Sequence, residues 1–428
     1  MLGIQLDPAP AEHPPLQHFA PSILNTTTMT SSPATLLSLV DDISKLGSAF
    51  QSANGFANEE TRNKLVDAAE KLAIAARYPD ENIFHAITRT TQNAATRVAC
   101  ALDIFNVVPT TKSIDVAEIA TTVKADPIVI ERIMRALASC RIFAETGENT
   151  YTHNDLSRAF LTPTTLSMFS EIYDMAGNAA HALPEFLEKT NYVNPEDYNN
   201  SAFQLAARTE LGFWEYLEAD PKKLQAFNAG MRSQATVKAF DSSYPWDTEL
   251  NATPVGADEI VVVDVGGGRG HAMERLKQRF PHLQGRIVLQ DQASVIQDAL
   301  DGGLSSEIEA QAASFFEPQP IKGARAYHFR RVLHDWSDAV CCTILKNTAG
   351  AMGPQSRVLL AEYEVPATGA PSKLTMQDIN MMGITGCERT EKMWKRLLES
   401  AGLELTKMWR TEGSNFVIVE GRLPSGAP

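Results

Sequence analysis

The sequence predicts an α/β protein in which a doubly wound, largely parallel sheet stands C-terminal to an all-α, winged-helix-like region. Three observations carry this. The C-terminal half alternates short apolar runs with amphipathic stretches, from EIVVVDVG through HAMERLKQRF and GRIVLQD to SRVLLAEYEV. That is the rhythm of strands joined by crossover helices. The closing stretch LTKMWRTEGSNFVIVEGR reads as two strands in a hairpin, which adds an antiparallel edge. The preceding half shows helical periodicity instead. A chain of 428 residues also exceeds one ordinary core.

Residues 1–33 are rich in Pro, Thr and Ser and are expected as a flexible arm. From residue 34, ATLLSLVDDISKLGSAF sets Leu36, Leu37, Val40, Ile43 and Leu46 on one helical stripe. A second helix is expected over NEETRNKLVDAAEKLAIAARY, started by Asn58, Glu59 and Glu60, and a third over FHAITRTTQNAATRVACALDIF. SIDVAEIATTVKA then reads as a short helix and ADPIVIERIMRALASCRIF as a longer one opening at Asp126-Pro127. AETGENTYTHN reads as a hairpin that turns at Gly147-Glu148-Asn149. Helix, helix, hairpin is the outline of a winged helix. Its second helix carries only Arg132 and Arg135 as cations, so it is expected to be a structural module and not a DNA reader. Residues 155–240 are helical again, broken at Pro163, Pro184, Pro195 and Pro221. The expected domains are therefore 34–240, helical and winged-helix-like, and 241–428, built on the sheet.

Composition narrows the function. The net charge of −14 argues against a nucleic-acid partner. No apolar run approaches the roughly 20 residues that span a bilayer, and the N-terminus lacks a basic and apolar leader. No membrane partner and a cytoplasmic location are expected. The five cysteines, Cys100, Cys140, Cys341, Cys342 and Cys387, have no metal-ligand spacing, so no metal is expected.

The strongest motif is VVVDVGGGRG, a buried strand running into a turn with Gly266, Gly268 and Gly270. The glycines permit a tight turn and close approach of backbone to a ligand at the carboxyl edge of a sheet. His271 stands where a dinucleotide fingerprint has its third glycine. Asp291 ends the next strand, where a carboxylate accepts the two ribose hydroxyls of an adenosine. By itself this motif fits a nicotinamide dinucleotide or S-adenosylmethionine equally.

Downstream stretches separate the two. FRRVLHDWSD, AEYEVP and ERTEKMWKRLLESAGL follow VDVGGGRG in that order. With these residues the chain resembles the class I O-methyltransferases of the plant caffeate type, and more closely their fungal secondary-metabolism relatives, over roughly residues 80–425. The resemblance implies a Rossmann-like methyltransferase sheet, with the winged-helix region serving dimerisation.

It also implies roles for residues. His334 would be the general base, since a phenol with a pKa near 10 is a poor nucleophile until its proton is taken. Glu362 and Glu388 would flank the imidazole and hold its tautomer. S-adenosylmethionine would be the cofactor, with Gly266 and Gly268 giving room for it and Asp291 holding its ribose. Trp336 would cover one face of the adenine, Phe315 the other, and Arg330 would lie near. Ser314 stands where the family usually has an aspartate for the adenine amino group. Phe227, Met231 and Met381 would pack on the acceptor, and Asp335 would face a polar substituent.

The resemblance implies methyl transfer to a hydroxyl of an aromatic or polyketide-like small molecule by a homodimer. It leaves a second possibility open. Some fungal members keep the cofactor as a fixed positive charge and catalyse dehydration or pericyclic cyclisation. In these the histidine is often replaced, whereas His334 is retained here.

Overall fold

The computed structural model describes residues 31–52, 59–235, 244–411 and 413–425. Most of the expected arm, residues 1–30, lies outside them. The chain forms two compact units, residues 1–91 and 92–428. In the first, helices α1 (Pro33–Ser52) and α2 (Glu59–Ala76) pack together, and α3 (Pro79–Ala101) begins. The predicted stripe of α1 is not buried within the chain: Leu37 is 70% exposed.

The second unit opens with the winged-helix outline. Helix α4 (Ile104–Val107) and strand β1 (Ile114–Asp115) precede α5 (Val116–Val123) and α6 (Pro127–Ser139). Asp115 and Asp126 cap these two helices through hydrogen bonds accepted from Ala117 N and Ile128 N. The hairpin β2 (Phe143–Gly147) and β3 (Thr150–His153) closes the module, in the order β1-β3-β2. Its core is Phe105, Ile119, Met134, Leu137, Phe143 and Tyr151.

A helical layer follows: α7 (Asp155–Ala159), α8 (Pro163–Glu171), a π-helical turn over Ile172–Gly177, α9 (Asn178–Lys189), α10 (Ala202–Ala207), α11 (Phe213–Glu218), α12 (Pro221–Ala235) and α13 (Trp246–Leu250). No described helix is long and apolar enough to cross a membrane.

The sheet carries the site. Its strands are β4 (Ile260–Val265), β5 (Arg286–Asp291), β6 (Ile308–Ala312), β7 (Ala326–Arg330), β8 (Arg357–Tyr363), β9 (Glu404–Arg410) and β10 (Phe416–Arg422). Their order is β6-β5-β4-β7-β8-β10-β9. The pairs from β6 to β8 are parallel, and β10 runs antiparallel to β8 and β9. The connecting helices are α14 (His271–Arg279), α15 (Ala293–Asp301), α16 (Asp338–Ala349), α17 (Ser372–Met382) and α18 (Glu391–Ser400). Val261, Val262 and Val263 in β4 are fully buried, because helices cover both faces of a doubly wound sheet. Strand order reverses between β4 and β7, and that switch point opens a crevice at the carboxyl edge. The glycine turn after β4, Asp291 on β5, the HDW turn after β7 and Glu362 on β8 all lie along this edge.

Candidate active site

The glycine turn leaves β4 with Gly266, Gly268 and Gly270 at φ +68°, +60° and +80°. This is the left-handed region that a Cβ penalises. A Cβ on Gly268 would meet nothing within 4 Å, whereas one on Gly267 would lie 2.3 Å from Asp264 Oδ2. The turn therefore packs down onto the sheet through Gly267 and opens outward at Gly268. Gly268 N donates to Asp291 Oδ2 at 2.8 Å, and Gln292 N donates to Oδ1 at 2.8 Å. Each carboxylate oxygen keeps a further lone pair for a ligand hydroxyl. Burial pushes the Asp291 carboxyl above its ordinary range, against those two backbone donors. The open cradle and the spare acceptors fit the ribose of an adenosyl cofactor.

Trp336 and Phe315 sit beside this cradle. Phe315 lies 3.7 Å from the position of a Cβ on Gly266. The two rings meet edge to face, with centroids 6.1 Å apart at 75°, so they form a corner and not parallel walls. Tyr198 tilts over Trp336 at 5.0 Å, and Phe316 meets it edge-on at 5.1 Å. Arg330, at the end of β7, has a buried Nε without a hydrogen-bond partner. Burial lowers its pKa, and such a cation gains from an anionic ligand group. Ser314 Oγ accepts from Phe316 N at 3.2 Å, which shapes this loop.

The second half of the site is a 3₁₀ turn, Leu333–Asp335, that follows β7. His334 is 6% exposed. Its Nδ1 lies 3.1 Å from Glu388 Oε1 and its Nε2 lies 3.2 Å from Asp335 Oδ1. Burial and the Arg331 cation press the imidazole pKa down. The carboxylates of Asp335, Glu362 and Glu388 outweigh them and hold it above the ordinary value. Burial pushes the Asp335 carboxyl up to about 6, against the nearby His334 and Arg331. Glu388 is also raised by burial, but its hydrogen bond to His334 and the adjacent cations leave it below the ordinary carboxylate range.

The two glutamates do different things. Glu388 touches the imidazole. Glu362 does not hydrogen-bond to it: its Oε1 accepts from Val332 N and Leu333 N, both at 3.0 Å, and so anchors the backbone of the turn. Glu388 thus touches the ring directly, whereas Glu362 acts on it through the turn and through its charge.

Two arginines to which the sequence assigns no role build this turn. Arg389 is fully buried. Its guanidinium donates to the carbonyls of Leu333, Cys387 and Trp336 at 2.8, 3.1 and 2.8 Å, and to Asp338 at 2.8 Å. Arg331 reaches Glu388 at 3.0 Å and Glu362 at 3.5 Å. The position of each in ERTEK and FRRVL was visible, but nothing in spacing marks an arginine that folds back onto carbonyls. Gly386 adds a steric reason for the approach. A Cβ there would lie 2.3 Å from His334 O, and Cys387 N donates to that same oxygen at 2.8 Å.

Two of the expected acceptor residues, Phe227 and Met381, fall in one apolar cluster. Phe227 on α12 meets Phe213 and Trp214 edge-on, both at 5.6 Å. Met381 on α17 packs against the same cluster, with Met175, Phe203, Leu217 and Ile384. The side chain of Met231 lies outside the described residues.

Comparison with known proteins places these features in context. Residues 192–404 match the model of an O-methyltransferase domain, and residues 85–163 that of an O-methyltransferase dimerisation domain. The chain is 42% identical to the O-methyltransferase GME11366 of Pestalotiopsis microspora, over 91% of this chain and 96% of the relative. It is 34% identical to a demethylsterigmatocystin 6-O-methyltransferase of Aspergillus parasiticus, over 73% of this chain and 81% of that one. Among solved structures it is similar to OxaC in complex with SAH and oxaline, with a TM-score of 0.83 and 30% identity over 91% of this chain and 99% of that one. A structure described as a pericyclic reaction enzyme is similar as well, with a TM-score of 0.81 and 26% identity over 91% and 99% of the two chains.

Proposed function

Because this chain belongs to the O-methyltransferase family and uses S-adenosylmethionine, we propose that it methylates a hydroxyl of an aromatic or polyketide-derived small molecule, with His334 as general base. The observation that carries the reading is His334 itself, buried and held at Nδ1 by Glu388, in the turn whose Val332 packs on Gly266 of the cradle. When bound, the cofactor supplies a methyl group on a sulfonium, an electrophile that needs a deprotonated oxygen opposite it.

The chain's own residues handle the proton. Glu388 accepts from Nδ1–H, which leaves the Nε2 lone pair for the acceptor hydroxyl. Asp335 Oδ1 lies 3.2 Å from Nε2, where its charge favours a proton arriving on that nitrogen. After transfer, Glu388 and Asp335 stabilise the imidazolium. Asp291 would hold the ribose, in the room left at Gly266 and Gly268, with Trp336 and Phe315 beside the adenine and Arg330 near the cofactor. Phe227 and Met381 supply apolar surface on the acceptor side, and Asp335 selects acceptors with a second polar substituent.

The protein acts as a homodimer in this reading. The match to a dimerisation domain supports it, as do Ile83, Phe84 and Ile87 on α3, at 64%, 69% and 63% exposure.

The similarity to a pericyclic reaction enzyme supports a second reading, in which the bound sulfonium serves as a fixed charge and a polyketide-derived substrate is dehydrated or cyclised. One experiment separates the two. Protein incubated with methyl-labelled S-adenosylmethionine and a panel of phenolic and polyketide acceptors is followed by mass spectrometry. Label gained by an acceptor, and lost with His334→Ala, supports methyl transfer. A product at unchanged mass or minus water, without label, sinks it.

A further inference from the structure

Arg331 has a conformation that few arginines adopt. Its φ is +55°, in the left-handed region, at the point where β7 passes into the HDW turn. Its N–H donates to Ala361 O at 3.1 Å, and its guanidinium lies 4.8 Å over the ring of Tyr363. From there Nη1 reaches both oxygens of Glu388, at 3.0 and 3.3 Å, and Oε2 of Glu362 at 3.5 Å. The side chains of both glutamates are fully buried. A glycine would suit this backbone better, so the strain at Arg331 is offset by what its side chain does.

We propose that Arg331 is a positioning residue for proton transfer: it ties Glu388 to Glu362 behind His334 and supplies the positive charge that lets the imidazole release its proton. This rests on the reading of His334 as the base. The charges facing the imidazole make the case. Asp335 comes from its own turn, Glu362 from β8 and Glu388 from the loop before α18. Asp378 on α17 adds a carboxylate behind Glu388, whose N–H it accepts at 2.8 Å. Cys387 adds a thiol, which burial pushes up to about 11 and keeps neutral. Arg389 is engaged by carbonyls and Asp338. Arg331 is thus the cation directed at the His334–Glu388 pair. Without it, the imidazole would be the positive partner of three buried carboxylates and would keep its proton. An imidazole that keeps its proton is no base.

The test is a titration of the His334 ring by NMR in protein labelled at the histidine imidazole carbon, with the signal assigned from His334→Gln. It is run on the parent and on Arg331→Gln, Arg331→Met and Arg331→Lys, each checked for folding by thermal melt. The neutral variants should raise the His334 midpoint by about one pH unit, a roughly tenfold tighter hold on the proton. Lysine, shorter and without a planar fork, should give a smaller upward shift. If neither neutral variant folds, the lysine variant decides. A midpoint that is unmoved or lower in every folded variant overturns the proposal. The reading of His334 as base fails by a different observation, methyl transfer that survives His334→Ala while the titration behaves as stated.

Discussion

Nε2 of His334 lies 3.2 Å from Oδ1 of Asp335, its neighbour in the chain. The ring thus has a carboxylate near both nitrogens, Glu388 in hydrogen-bond contact and Asp335 at ion-pair distance. Both groups hold protons more tightly in the folded chain than they would unfolded: His334 is raised, and Asp335 is raised to about 6.

The first consequence is a pH profile. The rate of methyl transfer should rise with pH through a midpoint above the ordinary histidine value of about 6.5. Asp335→Asn removes a carboxylate that raises the imidazole, so the rising limb should move to lower pH. A limb that stays in place, read from initial rates across pH, would count against the coupling.

Stability should follow the same sign. A group whose folded pKa is raised contributes stability at low pH that is lost as pH rises. For Asp335 the loss runs from about 4 to about 6, and for His334 it begins near 6.5. Glu388, held low, acts oppositely and only towards acid pH. Melting temperature should therefore fall from pH 5 to pH 8, and less steeply in Asp335→Asn.

His334→Gln should lower the methyl-transfer rate about 10²- to 10⁴-fold. Calorimetric affinity for S-adenosylhomocysteine should barely change, because in the proposed function His334 acts on the acceptor hydroxyl and not on the cofactor. A matching loss of cofactor affinity would place the residue elsewhere in the function.

The glycine turn offers a paired test. Gly268→Ala puts a methyl group into the open cradle at φ +60°, at a conformational cost of about 1–2 kcal/mol. It should fold and lose affinity for S-adenosylhomocysteine. Gly267→Ala drives a methyl into Asp264 and Leu289 and should chiefly lower the melting temperature. Equal affinity loss with equal melting in both would contradict the packing described.

Arg389→Met removes the charged donor from the carbonyls of Leu333, Trp336 and Cys387, although Cys341 Sγ still donates to the first two. Each hydrogen bond lost to a charged group is worth about 1.5–3 kcal/mol. The variant should be destabilised by roughly 3 kcal/mol or more in urea unfolding. A change under 1 kcal/mol would show that the clamp is redundant.

Much of this was legible in the sequence. VVVDVGGGRG and RIVLQD announce adjacent strands ending in a glycine turn and an acid, because strand burial and positive φ leave marks in residue type. HDW and ERT carried the family, and with it the fold class and cofactor. What each glutamate touches was not legible. Glu362 and Glu388 are the same residue type at two ends of one edge, yet one holds backbone amides and the other an imidazole.

The sequence by itself determined which residues gather at the carboxyl edge, since each motif follows an apolar strand and parallel strands joined by helices end on one edge. Only the tertiary structure decided their pairing. Arg331, Arg389 and Asp335 acquire their roles from distances across β7, β8 and the loop before α18, set by a few ångströms of packing. Electrostatic coupling depends on separation and burial, and neither is written in the spacing of residues along a chain.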